Sequence, residues 1–171
     1  ILEKKISFYD SNKVKIFNYG MGEKISDGFI NQTLESSSST INEINLKSKY
    51  LKRKLKILNI DKKDSFQSKV PIKILSLDYF IEKNKIENID LLKIDTEGYE
   101  LKVLLGLGDQ IRKITYLHFE HHFDDMIIKK YTLSNIHDYL ISHHFKKIHK
   151  VKMKFRKSFE YIYENQKKKY E

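Results

Sequence analysis

The stretch that decides the fold is Ile89-Asp90-Leu91-Leu92-Lys93-Ile94-Asp95-Thr96-Glu97-Gly98-Tyr99-Glu100. Its apolar run predicts a buried strand, and the leucine stripe at helical spacing that follows predicts a helix over 99–105. Asp95 and Glu97 lie where the strand ends, with Gly98 easing the turn. Ligands of open α/β sheets bind outside the carboxyl ends of the strands, so this position favours a chemical role. Acidic residues at a helix start also satisfy free N–H groups, which is the alternative.

Hydrophobic periodicity and turn residues predict the remaining elements. Strands are expected at 14–19, 72–77 and 114–120, helices within 41–69, at 78–85 and at 134–141, and an antiparallel hairpin at 146–154 with 159–163. The first strand should end at Gly20 and Gly22. Residues 27–40 are rich in turn formers and include a run of serines, so they predict a loop that either lies free on the surface or folds over a ligand.

The chain has 171 residues, which predicts one domain, and a formal net charge of +10. Such a charge suits an acidic partner, and the amphipathic pattern within 41–69 has the most basic face. However, only three of the 33 basic residues are arginine, namely Arg53, Arg112 and Arg156. Phosphate and guanine recognition favours the arginine fork, so we expect no nucleic acid partner. A chain rich in lysine, isoleucine and asparagine is typical of AT-rich coding.

The chain contains no cysteine, which excludes disulfides and thiolate metal ligands. Any metal ligand must therefore be histidine, aspartate or glutamate. No apolar run approaches the roughly 20 residues that a membrane span needs. The beginning of the chain has no secretory signal pattern, and we expect a cytoplasmic location.

The segment from Asp90 to Glu100, continued by Val103-Leu104 and Gly106, resembles the signature segment of the FkbM-type methyltransferases. The resemblance extends over residues 14–122. Residues 14–22 resemble the third strand of that family and its following turn, Leu77-Asp78 resembles a short helix before the signature, and 116–120 resembles the next strand with its terminal glutamate.

This resemblance implies an α/β fold with a Rossmann-like class I methyltransferase sheet. That sheet is mostly parallel, has a C-terminal antiparallel hairpin and follows the strand order 3-2-1-4-5-7-6. The chain has no glycine-rich cofactor loop before residue 14, so the resemblance implies a domain at 1–165 that lacks the first two strands and leaves the edges of strands 3 and 4 open. Residues 166–171 would form a solvated lysine-rich tail.

The resemblance also implies a reaction, the transfer of a methyl group from S-adenosylmethionine to a hydroxyl of a small-molecule or glycan acceptor. A hydroxyl is a poor nucleophile at neutral pH, so a side chain must take its proton. Asp95 is the first candidate for this base, and Glu97 either orients Asp95 or binds the acceptor. Glu120 matches the terminal glutamate of the family's next strand. Gly20 and Met21, in the turn after the third strand, are the cofactor candidates in this chain.

Two other functions remain open at this stage. In a strand His118, Glu120 and His122 share one face, so they could converge on a metal, with Asp95 completing the site. That arrangement would favour a metal-dependent hydrolase, although histidines near strand ends are commonly surface residues and we expect no metal. The third possibility is a lysine-rich module that binds nucleic acid or acidic glycans.

Overall fold

The computed structural model describes residues 13–33, 39–60, 66–154 and 156–168. The strands are β1 (Gly20–Gly22), β2 (Ser26–Thr33), β3 (Phe66–Ser76), β4 (Ile89–Ile94), β5 (Ile114–His122), β6 (Phe145–Lys152) and β7 (Ser158–Asn165). The helices are α1 (Lys49–Ile57), α2 (Leu77–Lys83), α3 (Glu100–Leu105), a 3-10 helix (Gly108–Lys113) and α4 (Leu133–Ser142). None of these described helices is long and apolar enough to span a membrane.

The second half of the chain forms a four-stranded sheet in the order β4-β5-β7-β6. β4 and β5 are parallel, with Leu91 opposite Tyr116, and α3 connects them. β5, β7 and β6 are antiparallel neighbours, which confirms the predicted hairpin and its place at a sheet edge. This order is the one that the resemblance implies for strands 4, 5, 7 and 6. Within the described ranges no strand pairs with the other edge of β4.

The first half forms a separate sheet in the order β1-β3-β2, and here two predictions were wrong. Residues 14–19 are not a strand, and the glycines predicted to end that strand lie in β1, which runs parallel to β3. A Cβ at Gly22 would lie 2.8 Å from Ile74 Cγ2 and 3.2 Å from the Tyr99 ring, so glycine keeps this pairing free of a clash, whereas at Gly20 the nearest atom is the flexible end of Ile72. Phe17 instead packs its ring edge-on against Phe80, at 4.9 Å between centroids.

The segment predicted as a loop over 27–40 is partly the strand β2, which pairs antiparallel with β3. Its glycine and asparagine are turn formers, and the pairing with Ile72 and Ile74 of β3 overrides this local preference. The serines at 36–38 lie outside the described residues. With β2 included, two of the strand pairings among the described residues are parallel and three are antiparallel. The fold is α/β as predicted, but its sheets are mixed, and the prediction of a mostly parallel sheet was wrong.

β3 spans Phe66–Ser76 and begins earlier than the predicted strand over 72–77, so that Pro71 lies inside it. Proline lacks an N–H group and is tolerated in strands only where one edge is unpaired. This condition is met, since β1 pairs with β3 only from Ile74 onward and Pro71 faces only Phe29 of β2. The helical pattern within 41–69 is confirmed for α1, whereas 66–69 belong to β3.

The main core lies between the four-stranded sheet and helices α2, α3 and α4. Its fully buried members include Leu104, Leu117, Phe119, Ile136 and Tyr161. A smaller cluster joins Leu51 of α1 to Met126 and Ile127 after β5. At the chain end, the Lys168 ammonium donates to Asn88 Oδ1 at 3.0 Å and to the Lys113 carbonyl, so this lysine of the predicted solvated tail is anchored.

The two sheets meet where α3 ends beside β1. Gly106 caps α3, and a Cβ at this position would lie 2.0 Å from the Gly22 carbonyl oxygen. The Gly106 carbonyl also accepts a hydrogen bond from the Asp78 N–H at 2.8 Å. Gly106 has an ordinary helical φ of −71°, so its requirement is space and not backbone freedom.

We predict that Gly106→Ala lowers the free energy of unfolding by about 2–3 kcal/mol, because the new methyl group must displace backbone. Urea-induced unfolding followed by circular dichroism measures this. Gly28→Ala is the matched control: its Cβ would meet only the end of the flexible Ile74 side chain at 2.7 Å, and it should cost less than about 1 kcal/mol. Equal unfolding midpoints for the two variants would contradict the proposed contact.

His121 is a core residue with an unusual environment. Its ring packs edge-on against Phe123 at 4.9 Å and near Tyr131, and it is 3% exposed. Within the described residues its Nδ1 has no hydrogen-bond partner. Burial lowers its pKa to about 4, and the charges of Lys129 and His122 add to this effect. His121 is therefore neutral in the folded protein at pH values where a solvated histidine is charged.

We predict that, because of His121, the free energy of unfolding falls by up to about 3 kcal/mol as the pH decreases from about 6.5 to about 4. In that window the unfolded chain binds a proton at His121 and the folded chain does not. His121→Phe should therefore lose less unfolding free energy between pH 7 and pH 4.5 than the parent, measured in urea. His149→Phe, at an exposed position of β6, is the control and should behave as the parent does. An equal pH dependence in the parent and His121→Phe would disprove this role.

Candidate functional site

The turn after β4 is built around a buried carboxylate. Glu100, the first residue of α3, is 1% exposed and its side chain points back to the turn. It accepts hydrogen bonds from the Gly98 N–H at 2.8 Å, from Thr96 Oγ1 at 3.2 Å and from the Tyr131 hydroxyl. These bonds satisfy backbone and side-chain donors at the helix start, where the helix dipole also favours a negative charge.

The same turn is held from the outside by the segment that follows β2. Thr40 Oγ1 donates to the Glu97 carbonyl at 2.8 Å, and the Asn42 side-chain amide donates to the Gly98 carbonyl. Both turn residues have positive φ, +48° at Glu97 and +93° at Gly98. A non-glycine residue in this region is uncommon and is found where surrounding contacts determine the conformation. The result is that the Glu97 side chain has a fixed direction.

Glu97 points to His122 at the end of β5, and two further carboxylates surround the same ring. His122 Nε2 lies 3.4 Å from Glu97 Oε2 and 3.4 Å from Glu120 Oε1, and Nδ1 lies 3.4 Å from Asp124 Oδ2. We call Glu97, Glu120, His122 and Asp124 the carboxylate–histidine cluster. His122 is 8% exposed, and neither its Nε2 nor Glu120 Oε1 has a hydrogen bond of good geometry to any described residue.

The pKa values of Glu97, His122 and Asp124 are shifted in different directions. Burial raises the pKa of Glu97, whereas the positive charge of His122 and, more weakly, that of Lys54 lower it. Burial alone would lower the pKa of His122, but the adjacent Asp124 and the charges of Glu97 and Glu120 raise it above the ordinary value. The pKa of Asp124 is lowered, since His122 and the Met126 N–H outweigh burial. Perturbed groups gathered at one strand end are typical of functional sites.

Cationic and aromatic side chains form the mouth of the cluster. Tyr50 and Lys54 of α1, Met126 and Arg156 border the opening above Glu97 and His122. Burial raises the pKa of the Tyr50 hydroxyl, and the charge of Asp124 raises it further. Lys129 lies on the other side of His122, where its ammonium donates to the His122 carbonyl.

Asp95, the first candidate for the base, does not join the cluster. Its carboxylate is about half exposed, and Oδ2 lies 3.4 Å from Lys93 Nζ. Asp95 instead borders a separate cleft of about 330 Å³ at the unpaired side of β4, together with Met21, Leu92 and Thr96. Of the two cofactor candidates, Met21 therefore reaches the same cleft as Asp95. Gly20 does not line this cleft and packs against Ile72 and Ile74.

The alternative in which His118, Glu120 and His122 converge on a metal is not supported by the geometry of the described residues. His118 pairs with Glu160 of β7, at 3.7 Å between Nε2 and Oε2, and takes no part in the cluster. Residues 118 and 122 share a face of β5 but are separated along it by about 13 Å. Within the described ranges no group of histidine and acidic side chains is arranged to hold a metal ion.

Three residues of this site were missed from the sequence. Asp124 continues the alternation of Glu120 and His122 past the strand end, and this spacing could have identified it. Glu100 lies inside the signature segment, where an acid at a helix start looks like an ordinary helix residue. Thr40 is 57 residues away from Glu97 in the chain, and no local pattern connects the two.

Comparison with protein families finds a match to the family described as "Methyltransferase FkbM domain" over residues 7–148. Searches of curated proteins and of solved structures found no match. The matched range covers most of the chain and includes the turn after β4, the whole of β5 and all four residues of the carboxylate–histidine cluster. The chain therefore belongs to the FkbM methyltransferase family, and this membership supports methyl transfer as its activity.

Proposed function

We propose that the chain transfers a methyl group from S-adenosylmethionine to a hydroxyl oxygen of a sugar or of another glycosylated or natural-product acceptor. The observation that carries this proposal is the buried His122, with carboxylates at both of its ring nitrogens. A hydroxyl must lose its proton as its oxygen attacks, and histidine is the side chain whose ordinary pKa suits it to accept a proton near neutral pH.

In this proposal His122 Nε2 is the atom that receives the acceptor's proton. Asp124, next to Nδ1, holds the ring in the tautomer that leaves Nε2 free to accept. Glu97 and Glu120 then stabilise the imidazolium that forms, because their oxygens lie within 3.4 Å of Nε2. The three carboxylates thus orient the base and compensate its charge.

The cleft beside β4 fits a cofactor with an apolar body and polar groups. Its volume of about 330 Å³ is in the range of small-molecule sites, and its lining combines the Asp95 carboxylate with Met21, Leu77 and Val103. S-adenosylmethionine, when bound, supplies a methyl group on a positively charged sulfur. Asp95 would accept hydrogen bonds from its hydroxyl or ammonium groups, and Met21 would pack against its apolar part. This role for Asp95 differs from that of the base.

We predict that His122→Gln lowers kcat by about 10²–10⁴-fold, with a small change in cofactor affinity, because the variant keeps a polar side chain and loses the proton acceptor. Labelled methyl transfer from S-adenosylmethionine to a panel of neutral and charged glycosides measures this, with mass spectrometry of the product. His118→Gln, four residues earlier on the same face of β5, is the control and should retain parental activity. Parental turnover in His122→Gln would remove this residue from the mechanism.

The pH profile tests the base separately. The titratable and charged groups around His122 are Glu97, Glu120, Asp124, Tyr50, Lys54, Lys129 and Arg156. Because the neutral ring is the active form, kcat should rise with pH through a midpoint above 6.5. Glu97→Gln removes one carboxylate that favours the imidazolium, so we predict a midpoint at lower pH. A midpoint that stays in place or moves upward in Glu97→Gln would exclude this coupling.

We predict that Asp95→Asn weakens S-adenosylmethionine binding by about tenfold, since a charge-assisted hydrogen bond becomes a neutral one. Titration calorimetry with S-adenosylmethionine and with S-adenosylhomocysteine measures this for the parent and the variant. Asp90→Asn, an exposed substitution near the start of β4, should bind as the parent does. Unchanged affinity with reduced turnover in Asp95→Asn would return Asp95 to the role of base, and no binding by the parent would contradict the cofactor.

A further inference from the structure

A groove with five cationic side chains opens beside the carboxylate–histidine cluster. The groove lies between α1 and the turn that joins β6 to β7, and its volume is about 570 Å³. We call it the basic groove, and its cations are Arg53, Lys54, Lys154, Arg156 and Lys157. Its lining also includes Tyr50, Ile57 and Leu58, and none of the described lining residues is acidic. The described lining of the groove therefore contributes only positive charge.

The basic groove leads to the cluster. Tyr50, Lys54 and Arg156 line both the groove and the mouth above Glu97 and His122. A ligand in the groove would therefore contact three side chains that also border the proposed base.

The wall formed by α1 is fixed relative to the cluster. Ser48, which caps α1, accepts a hydrogen bond from the Leu51 N–H at 3.1 Å and donates to Asp125 Oδ1 at 2.6 Å. Leu51 packs on Met126 and Ile127, directly after Asp124. These contacts join α1 to the segment that carries the end of the cluster, so the spacing between groove and base is set by the fold.

The type of cation indicates the ligand. The whole chain has three arginines against 30 lysines, and two of these arginines, Arg53 and Arg156, line this groove. Within the described residues neither guanidinium takes part in an ion pair. Guanidinium groups recognise phosphate through paired hydrogen bonds, and a phosphate monoester carries up to two negative charges. Five cations exceed what one carboxylate would need.

We infer that the acceptor is a sugar phosphate, whose phosphate binds in the basic groove while its sugar hydroxyl reaches His122. This inference rests on the proposed function and specifies its substrate class. Ile57, which is 72% exposed, and Leu58 give the groove an apolar floor that suits the body of such a ligand. The phosphate could belong to a free sugar phosphate or to a nucleoside diphosphate sugar, and both share this chemistry.

Direct binding tests the inference without relying on methyl transfer. Calorimetry on the full chain compares a hexose 1-phosphate, a nucleoside diphosphate hexose, the neutral methyl hexoside and a hexuronic acid. We predict that the two phosphates bind at least about tenfold more tightly than the neutral hexoside and the hexuronic acid, with affinity that falls as salt rises. The tighter of the two phosphates identifies the source.

We predict that Arg53→Gln and Arg156→Gln each weaken phosphate binding by about tenfold or more. Arg112→Gln is the matched control, because this third arginine precedes β5 and lies roughly 25 Å along that strand from His122. Circular dichroism should show that all three variants fold as the parent does, and S-adenosylmethionine binding should be unchanged.

Several results would overturn the inference. One is equal affinity for the phosphates and the neutral hexoside. Another is a loss of phosphate affinity in Arg112→Gln as large as that in Arg53→Gln and Arg156→Gln. The third is that a single-stranded oligonucleotide binds more tightly than the sugar phosphates and that Arg53→Gln and Arg156→Gln abolish this binding. Failure of the proposed function looks different, since it would appear as absent S-adenosylmethionine binding in a chain that still binds sugar phosphate through Arg53 and Arg156.

Discussion

The carboxylate of Glu100 is the interaction on which the rest of the site depends. It is buried at the start of α3 and bonds to Thr96, Gly98 and Tyr131. A buried carboxylate is costly unless donors satisfy it, and here the donors are the atoms that must be held to close the turn. The turn is consequently rigid, and Glu97, inside it, is held with positive φ and faces β5. The same hydrogen bonds therefore satisfy the buried carboxylate of Glu100 and fix the direction of the Glu97 side chain.

The site occupies the contact between elements that are distant in sequence. Thr40 and Asn42 come from the segment after β2, Glu97 from the turn after β4, and His122 from the end of β5. A cluster of three carboxylates around one histidine is unfavourable to bury without a counter-charge, because like charges repel in a medium of low dielectric. When His122 is protonated its imidazolium supplies that counter-charge, and Lys54 and Arg156 at the mouth reduce the remaining repulsion. In the proposed function the protonation of the base therefore depends on these neighbours.

The fold brings part of the net charge of +10 together in one place. In the sequence the basic residues of α1 form one face of an amphipathic helix, which is an ordinary solvated surface. In the structure this face is brought opposite Lys154, Arg156 and Lys157, which follow about 100 residues later in the turn between β6 and β7. These cations form a groove that shares Tyr50, Lys54 and Arg156 with the mouth of the acidic cluster. Such a separation of charge orients a ligand with a negative end and a neutral hydroxyl end.

The sequence by itself determined the strand–turn–helix unit at 89–105, β5, the C-terminal hairpin and the family. These are local patterns of apolar spacing and turn residues, which depend on near neighbours in the chain. It also selected Glu97, Glu120 and His122 as candidate site residues, which the structure brings together. Its first candidate for the base, Asp95, lies outside this cluster, and His118, which it left open as a possible partner, pairs with Glu160 instead. Only the tertiary structure decided that Gly20–Gly22 is a strand, that 26–33 pairs with 66–76, and that Asp124 and Thr40 belong to the site. The physical reason is that residue type and spacing determine the face of an element, whereas strand pairing and packing between distant segments determine which faces meet.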